Sequence, residues 1–337
     1  MNKNIAHQQI LVVGPSWVGD MIMAQSLFKL IKNNSPQPRI SVLAPKWSEP
    51  VLDRMAEVDE SIEMPVGHGS LKLGIRRKLA QTLRHYRFSQ AIILPGSFKS
   101  ALIPWLADIP KRTGFVGEQR WGLVNDIRKL DKFRLPLSVQ RYVSLGLDKS
   151  EDLPKIPNPE LQVDQQQLDK TLKLFGLKVE KPVLVLCPGA EYGPAKQWPA
   201  KQYAEVAREK YRNGWQVWLM GSENDRNIAQ LIADMSGGGC INLAGKTTLG
   251  EAVDLLSCAK YTVTNDSGLM HVAAAVGSHV VALYGSSSPG YTPPLTDKSD
   301  VIYLNLDCSP CFKKQCPLGH LDCLNNISAE RVLSKLN

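Results

Sequence analysis

The chain has 337 residues, 43% of them hydrophobic and 21% charged, and its formal net charge is +8. This length suffices for two domains of ordinary size, and the composition excludes a disordered or low-complexity protein. No apolar stretch approaches the roughly 20 residues that span a bilayer, and the polar N-terminus lacks the apolar core of a secretory signal, so we expect a cytoplasmic protein.

Short β-rich runs alternate with helical patterns along the first half of the chain. The predicted strands are 10–13, 40–44, 91–94 and 113–116. A helix beginning near Asp20 has one apolar face, formed by Ala24, Leu27, Phe28 and Ile31. A second helix is predicted over 71–86.

Residues 153–159 include three prolines, which cannot continue a helix or a central strand, so they form part of the predicted domain linker. Beyond it, the predicted strands are 183–187, 216–220, 261–264 and 280–284, and helices begin near Pro199, Glu223, Leu249 and Ser267. The alternation predicts an α/β protein with two Rossmann-like domains. Ligands of such sheets bind in a cleft at the carboxyl ends of the strands.

The first candidate motif is GPSWVGD at 14–20, directly after the opening strand. Its glycine spacing is neither that of a P-loop nor that of a dinucleotide fingerprint. The glycines let the backbone approach a ligand and leave Asp20 at the start of a helix. Asp20 either caps this helix or faces the cleft as a base that accepts a proton from an acceptor hydroxyl.

The second motif is NDSGLMH at 265–271, after the predicted strand 261–264. A helix beginning at Ser267 would present free N–H groups to a pyrophosphate, and Gly268 would allow its close approach. His271 lies on the same face, near the same helix end. The alternative is an Asp cap followed by a core histidine.

The third motif follows the strand 183–187 and ends in KQWP at 196–199. Lys196 could neutralise a diphosphate leaving group, although a lone loop lysine is usually just solvated. Glu223, after the next strand, either accepts hydrogen bonds from ribose hydroxyls or favours a helix N-terminus. The sequence contains no Asp-x-Asp pair for a metal-bound diphosphate.

Taken together, GPSWVGDM at 14–21, KQWP at 196–199 and NDSGLMHV at 265–272 resemble the motifs of the ADP-heptose:lipopolysaccharide heptosyltransferases. The resemblance covers nearly the whole chain and is strongest to the heptosyltransferase II group. It implies the GT-B fold, two Rossmann-like domains that face each other across a cleft. On this template an acceptor-binding domain covers 1–155 and a donor-binding domain covers 156–325, and a last helix at about 326–337 packs back on the first domain.

The resemblance also implies inverting transfer of L-glycero-D-manno-heptose from ADP-heptose to the first heptose of the lipopolysaccharide inner core. The acceptor would be phosphorylated lipid A-core, and neither a cofactor nor a metal would be needed. Asp20 matches the catalytic base. The implied donor site consists of Lys196, Glu223, Thr247, Asp266, Ser267, Gly268 and His271. Where heptosyltransferase I has hydroxyl residues ahead of the lysine, this chain has Gly189 and Ala190.

Basic residues crowd the predicted helix 71–86, and Arg120 extends the cluster. Such a run is either a solvated face or a surface attracted to anionic lipid and lipid A phosphates. We predict acceptor and membrane contacts for Arg76, Arg77, Arg84 and Arg120. The protein would then lie peripherally at the inner face of the inner membrane. Nucleic acid is not an expected partner, because no recognition module is present.

Seven cysteines, an odd number, favour a reducing compartment. Four of them, Cys308, Cys311, Cys316 and Cys323, cluster near the end of the chain with a spacing that matches no standard metal site. A structural metal, reduced thiols and a local disulfide are all open, and we assign no metal.

Two alternatives to this function remain open. One is a family transferase that acts on a different core sugar, and the other is a non-catalytic two-domain protein that binds a nucleotide sugar. A nicotinamide oxidoreductase is disfavoured because the dinucleotide glycine fingerprint is missing.

Overall fold

The computed structural model describes residues 8–33, 38–67 and 70–337. Contacts within the chain divide it into two compact units, Met1–Pro159 and Glu160–Asn337. Residues 1–7, which form most of the N-terminal segment that lacks a secretory pattern, lie outside the described range. Within that range, every helix is too short or too polar to cross a bilayer.

The first unit is built on a six-stranded sheet in which all neighbours are parallel. Its strands are β1 (Gln9–Val13), β2 (Arg39–Ala44), β3 (Glu60–Glu63), β4 (Gln90–Ile93), β5 (Lys111–Phe115) and β6 (Asp126–Arg128). They lie in the order β3-β2-β1-β4-β5-β6. This is the strand order of a Rossmann fold.

The second unit repeats this arrangement. Its strands are β7 (Val183–Cys187), β8 (Gln216–Leu219), β9 (Cys240–Asn242), β10 (Ala259–Asn265), β11 (His279–Tyr284) and β12 (Ser299–Tyr303). They lie in the order β12-β11-β10-β7-β8-β9. The predicted α/β class with two Rossmann-like domains is therefore confirmed.

Helices cover the sheets of both units. The first unit contains α1 (Val18–Lys32), α2 (Glu49–Leu52), α3 (Leu73–Leu83), α4 (Phe98–Leu106) and α5 (Ser138–Ser144). The second contains α6 (Gln165–Leu174), α7 (Ala200–Arg212), α8 (Arg226–Ser236), α9 (Leu249–Ser257), α10 (Gly268–Ala275), α11 (Asp322–Asn325) and α12 (Ala329–Leu333). The apolar face predicted for α1 is buried, as Leu27 and Phe28 are both fully inaccessible to solvent.

All eight predicted strands are present, each within two residues of its expected bounds. The four strands that the sequence pattern missed, β3, β6, β9 and β12, are the four edges of the two sheets. An edge strand has only one neighbour, and it is often short and polar. β3, for example, has the sequence ESIE and is half-exposed, so it lacks the apolar run that marks the central strands.

The last helix differs from its expected place. Val332 and Leu336 lie in the core of the second unit, together with Trp198 and Tyr203. The Trp198 indole N–H donates to the Ile327 carbonyl oxygen at 2.9 Å. The helix therefore buries its apolar side against α7 of its own unit. The family template had predicted that it packs on the first domain. The boundary between the units lies at Pro159, four residues beyond the expected position.

Candidate active site

The loops after β7, β10 and β11 are neighbours, because these three strands are adjacent in the second sheet. Parallel strands bring their carboxyl ends to one edge, so the third motif, the second motif and the segment after Tyr284 converge there. The structure thus places the two predicted donor-binding motifs side by side.

Asn265, at the end of β10, joins these loops and is completely buried. Its side-chain N–H₂ group donates to the Pro188 carbonyl oxygen at 2.8 Å. Its side-chain oxygen accepts from the Trp198 backbone N–H at 3.1 Å and from the Tyr203 hydroxyl at 3.2 Å. One amide therefore fixes both ends of the 188–198 loop. Sequence reasoning included Asn265 in a motif but gave it no role.

Lys196 lies in a short 3₁₀ turn, Pro194–Lys196, and forms an ion pair with Asp266. The Lys196 ammonium and one Asp266 carboxylate oxygen are 2.5 Å apart, and the two side chains are only 19% and 6% exposed. The other carboxylate oxygen accepts from the Thr292 hydroxyl at 3.3 Å. The ammonium also lies 5.2 Å from the centre of the Tyr192 ring. The solvated-lysine alternative is therefore wrong.

The helix α10 begins beside this pair. Ser267 is its N-cap residue, but its hydroxyl lies 3.2 Å from the Thr264 hydroxyl and makes no capping hydrogen bond. The first N–H groups of a helix have no intrahelical partner, so they are available at this edge of the sheet. Asp266 does not cap the helix.

His271, one turn into α10, is buried. Burial lowers the pKa of His271 to about 4, with Asp266 acting in the opposite direction and Lys196 in the same one. The imidazole is therefore neutral at pH 7, and it can donate a hydrogen bond without adding a second cation to the site.

Glu223 and Thr247 follow β8 and β9, which pair with each other. The Glu223 side chain lies directly over Gly245, where an added Cβ would collide with its carboxylate. Glu223 is two-thirds exposed and pairs with Arg226 at 3.1 Å. Thr247 immediately precedes Thr248, the N-cap residue of α9. The structure therefore places Glu223 and Thr247 near each other, on the side of β7 opposite to Asp266.

Crowding by a neighbouring side chain explains why a glycine occupies position 189. A Cβ at Gly189 or at Gly221 would collide with the Asp225 carboxylate, which accepts from the Ser222 N–H and hydroxyl, both at 2.8 Å. Because Asp225 fills the space between the loops after β7 and β8, a larger residue at 189 would require the Asp225 side chain to move.

Asp20 belongs to the first unit. Trp17 is the N-cap residue of α1, so Asp20 is the third residue of the helix and the capping alternative is wrong. The half-buried Asp20 carboxylate accepts a hydrogen bond of 2.7 Å from the Tyr142 hydroxyl on α5. Tyr142 is 122 residues away in the chain, and no local pattern pointed to it.

Two of the four predicted acceptor and membrane contacts need correction, because Arg76 and Arg120 are buried. The Arg76 guanidinium donates to the carbonyl oxygens of Leu71, Lys99 and Ser70. Arg77 and Arg84 are exposed, and their contacts with acceptor or membrane stay predictions. Arg84 pairs with Asp108 at 2.6 Å.

Arg120 is 1% exposed and joins the loops after β4 and β5. Its guanidinium donates to the Pro95 carbonyl oxygen at 2.7 Å, to the Phe115 carbonyl oxygen at 2.7 Å and to the Ser100 hydroxyl at 3.1 Å. Such a cation is a structural element of the first unit and is inaccessible to lipid phosphates.

Replacing Arg120 with alanine is therefore expected to lower the free energy of unfolding by roughly 3 kcal/mol, because buried carbonyl oxygens lose their donors. Urea denaturation measures this change. The exposed Arg77→Ala is the matched control, with an expected change within about 0.5 kcal/mol. Equal stability of the two variants would contradict the structural role of Arg120.

Two Rossmann sheets in tandem carry an ion pair, a helix N-terminus and a neutral histidine at the strand ends of the second sheet, an arrangement that suits a transferase of nucleotide-linked sugars. The chain matches the family model for glycosyltransferase family 9 (heptosyltransferase) over residues 76–322. It is 48% identical to lipopolysaccharide heptosyltransferase 2 of Escherichia coli (strain K12), covering 98% of this chain and 97% of that one. It is 45% identical to lipooligosaccharide heptosyltransferase 2 of Haemophilus influenzae, covering 97% and 98%.

A solved structure of E. coli ADP-heptose lps heptosyltransferase II is similar, with a TM-score of 0.88, 46% identity and 98% coverage of both chains. The chain belongs to glycosyltransferase family 9, the heptosyltransferases. The predicted family, the GT-B class and the glycosyltransferase activity are therefore confirmed. The individual roles of the site residues stay predictions.

Proposed function

We propose that this enzyme transfers L-glycero-D-manno-heptose from ADP-heptose to the first heptose of the lipopolysaccharide inner core, with inversion and release of ADP. The proposal depends on one observation above all: the Lys196–Asp266 pair lies beside His271 and the N-terminus of α10. A departing diphosphate needs positive charge and N–H donors where its own charge develops. The names of the relatives support heptose as the sugar.

In this proposal the donor extends along the carboxyl edge of the second sheet. The pyrophosphate binds at the end of β10 through Lys196, Ser267 and Gly268. Three strand spacings separate β10 from β9, which is about 14 Å at 4.8 Å per strand. That span suits a ribose at Glu223 and an adenine near Thr247.

Lys196 would change partners when the donor binds. Its ammonium is held by Asp266 in the structure described here, and the diphosphate offers a stronger set of anionic acceptors. After Lys196 has turned to the diphosphate, Asp266 would still accept the hydrogen bond from the Thr292 hydroxyl. The neutral His271 then supplies an N–H donor for the sugar or phosphate.

Inversion requires a base on the face of the sugar carbon opposite to the leaving group. We assign this role to Asp20, which would deprotonate the acceptor hydroxyl as the bond to ADP breaks. The Tyr142 hydroxyl donates to one carboxylate oxygen of Asp20 and so orients the carboxylate. Tyr142 is thus a positioning residue for the base.

The acceptor assignment is tested by incubating the enzyme and ADP-heptose with lipid A-core acceptors that bear no heptose, one heptose or two. Only the acceptor with one heptose is expected to gain the mass of one further heptose, with equimolar ADP. Heptose transfer to another member of the set would identify a family enzyme with a different core sugar as its acceptor. Donor binding without ADP release from any acceptor would favour the non-catalytic alternative.

We further propose a peripheral association with anionic membrane through one surface of the first unit. We call Leu73, Ile75, Arg77, Lys78 and Arg84 the α3 surface. Leu73 is 54% exposed and Ile75 is 40% exposed, and the three cations are exposed beside them. Exposed apolar side chains next to cations suit the boundary between lipid headgroups and acyl chains.

The double variant Arg77→Glu/Lys78→Glu is expected to bind anionic vesicles at least about tenfold more weakly, since each cation contributes about 1 kcal/mol near such a surface. Vesicle sedimentation at two salt concentrations measures this. The double variant Lys201→Glu/Arg212→Glu on α7 changes the net charge equally and is expected to bind like the parent. Salt-insensitive binding, or an equal loss in both variants, would contradict the proposal.

A further inference from the structure

Four cysteines near the end of the chain line one small cavity. We call Cys308, Cys311, Cys316 and Cys323 the tail cysteines. The cavity is also lined by Ser286, His320 and Ala195. Between β12 and α11 the chain runs for 18 residues, 304–321, without a helix or a strand. Three of the tail cysteines lie in this irregular segment, which therefore has little backbone pairing to hold it.

The Ser286 hydroxyl indicates that this cavity is a binding site. Ser286 is 2% exposed, and its hydroxyl oxygen has no hydrogen-bond partner within the described part of the chain. A buried polar atom without a partner is rare in folded proteins, because its desolvation is not compensated. A thiolate sulfur bound to an ion in the cavity could accept a hydrogen bond from this hydroxyl.

The arrangement of the tail cysteines suits a thiolate site. All four are free cysteines that line one cavity, and none of them is fully exposed. A tight turn follows Cys316, whose carbonyl oxygen accepts from the Gly319 N–H at 3.2 Å. Four thiols around one cavity can supply the ligand set of a tetrahedral thiolate-bound ion.

We propose that the tail cysteines bind one thiophilic divalent ion, of the class of Zn²⁺ or Fe²⁺. Four sulfur ligands are the preferred set for either ion. Across the described residues, no three Cys, His, Asp or Glu side chains stand ready as ligands. Binding therefore requires the thiols to lose their protons and to turn toward the cavity.

The ion would stabilise the surface on which the Lys196 loop rests. The Ala195 N–H donates to the Lys314 carbonyl oxygen at 3.0 Å, and the Tyr192 hydroxyl donates to the Phe312 carbonyl oxygen at 3.0 Å. Gly193 is so close to Lys314 that a Cβ would collide with it. The irregular segment thus holds the loop that carries Lys196 through these hydrogen bonds. An ion that orders the segment would also order this loop. This last consequence rests on the proposed donor role of Lys196, whereas ion binding itself does not.

The test begins with the full-length protein, purified under reducing conditions without chelator and analysed for metal by mass spectrometry. About one Zn²⁺ or Fe²⁺ per chain is expected. Chelation is expected to lower the Tm, and addition of Zn²⁺ alone to restore it. Cys316→Ser is expected to lose the ion. Cys258→Ser, which changes a half-buried cysteine outside the cluster, is the matched control and is expected to keep it.

Differential alkylation of the unaltered protein provides a second measurement in case Cys316→Ser does not fold. The tail cysteines are expected to be protected from alkylation before chelation and reactive after it. Absence of bound metal together with four reactive thiols would overturn the proposal, and so would a disulfide between any two of them. Transfer activity toward the acceptor set is recorded separately, so that failure of the ion site and failure of the proposed function are distinguishable.

Discussion

Asp20→Ala is expected to lower kcat by about 10²–10⁴-fold, which is the usual contribution of a general base. The affinity for ADP, measured by calorimetry, should stay unchanged, because the donor site is assigned to residues of the second unit. The effect falls on kcat since the carboxylate acts on the acceptor proton as the bond to ADP breaks. Full activity of this variant would exclude Asp20 as the base.

Two further variants distinguish the loss of the proton acceptor from the loss of the hydrogen bond that orients it. Asp20→Asn keeps an oxygen that can accept the 2.7 Å hydrogen bond from Tyr142 but cannot take a proton, so it should be as inactive as the alanine variant. Tyr142→Phe keeps the carboxylate and removes only the bond that orients it, so it should lose much less activity. If Tyr142→Phe were the more damaging change, the carboxylate would not be the base.

Lys196→Ala is expected to lower kcat/KM by about 10²–10³-fold, as for the loss of one group that stabilises developing charge. The ammonium lies near the N-terminus of α10, where negative charge would develop on the departing diphosphate. Steady-state kinetics with ADP-heptose as the varied substrate measures the loss. Lys201→Ala, an exposed lysine on α7, is the control and should behave like the parent.

Lys196→Ala also leaves the Asp266 carboxylate, which is only 6% exposed, without its cation. Removing one partner of a buried pair typically costs about 3–5 kcal/mol of stability. The double variant Lys196→Ala/Asp266→Asn removes this unpaired charge. It should recover stability without recovering activity. Recovery of both would show that Lys196 acts only through folding.

The central strands of both sheets could be predicted because they are buried on both faces and therefore apolar along their whole length. The edges could not, since polar strands such as β3 form only where a neighbouring strand offers its free side. The packing of the last helix was predicted wrongly for a related reason. Its apolar side packs against Trp198 and α7, and the sequence of the helix alone does not show which surface it will cover.

The candidate site divides in the same way. The motifs around Lys196 and Asp266 were found because each lies in a short segment at the end of a strand. Tyr142 and Thr292 were missed because they reach Asp20 and Asp266 only through the tertiary fold.

The arginines show the converse error. Arg120 lies in a polar loop and was grouped with surface cations, yet main-chain carbonyl oxygens bind its guanidinium in the interior. A charged side chain can be satisfied by carbonyl oxygens instead of an ion pair, and a sequence pattern does not show which carbonyl groups will surround it.

The position of Trp198 has a practical consequence for handling the protein. Its indole N–H donates to the Ile327 carbonyl oxygen, and its backbone N–H donates to the Asn265 side chain at the carboxyl edge of the second sheet. Residues 327–336 thus support the 188–198 loop, and deleting them would loosen that loop from a distance. Truncated variants should therefore retain these residues.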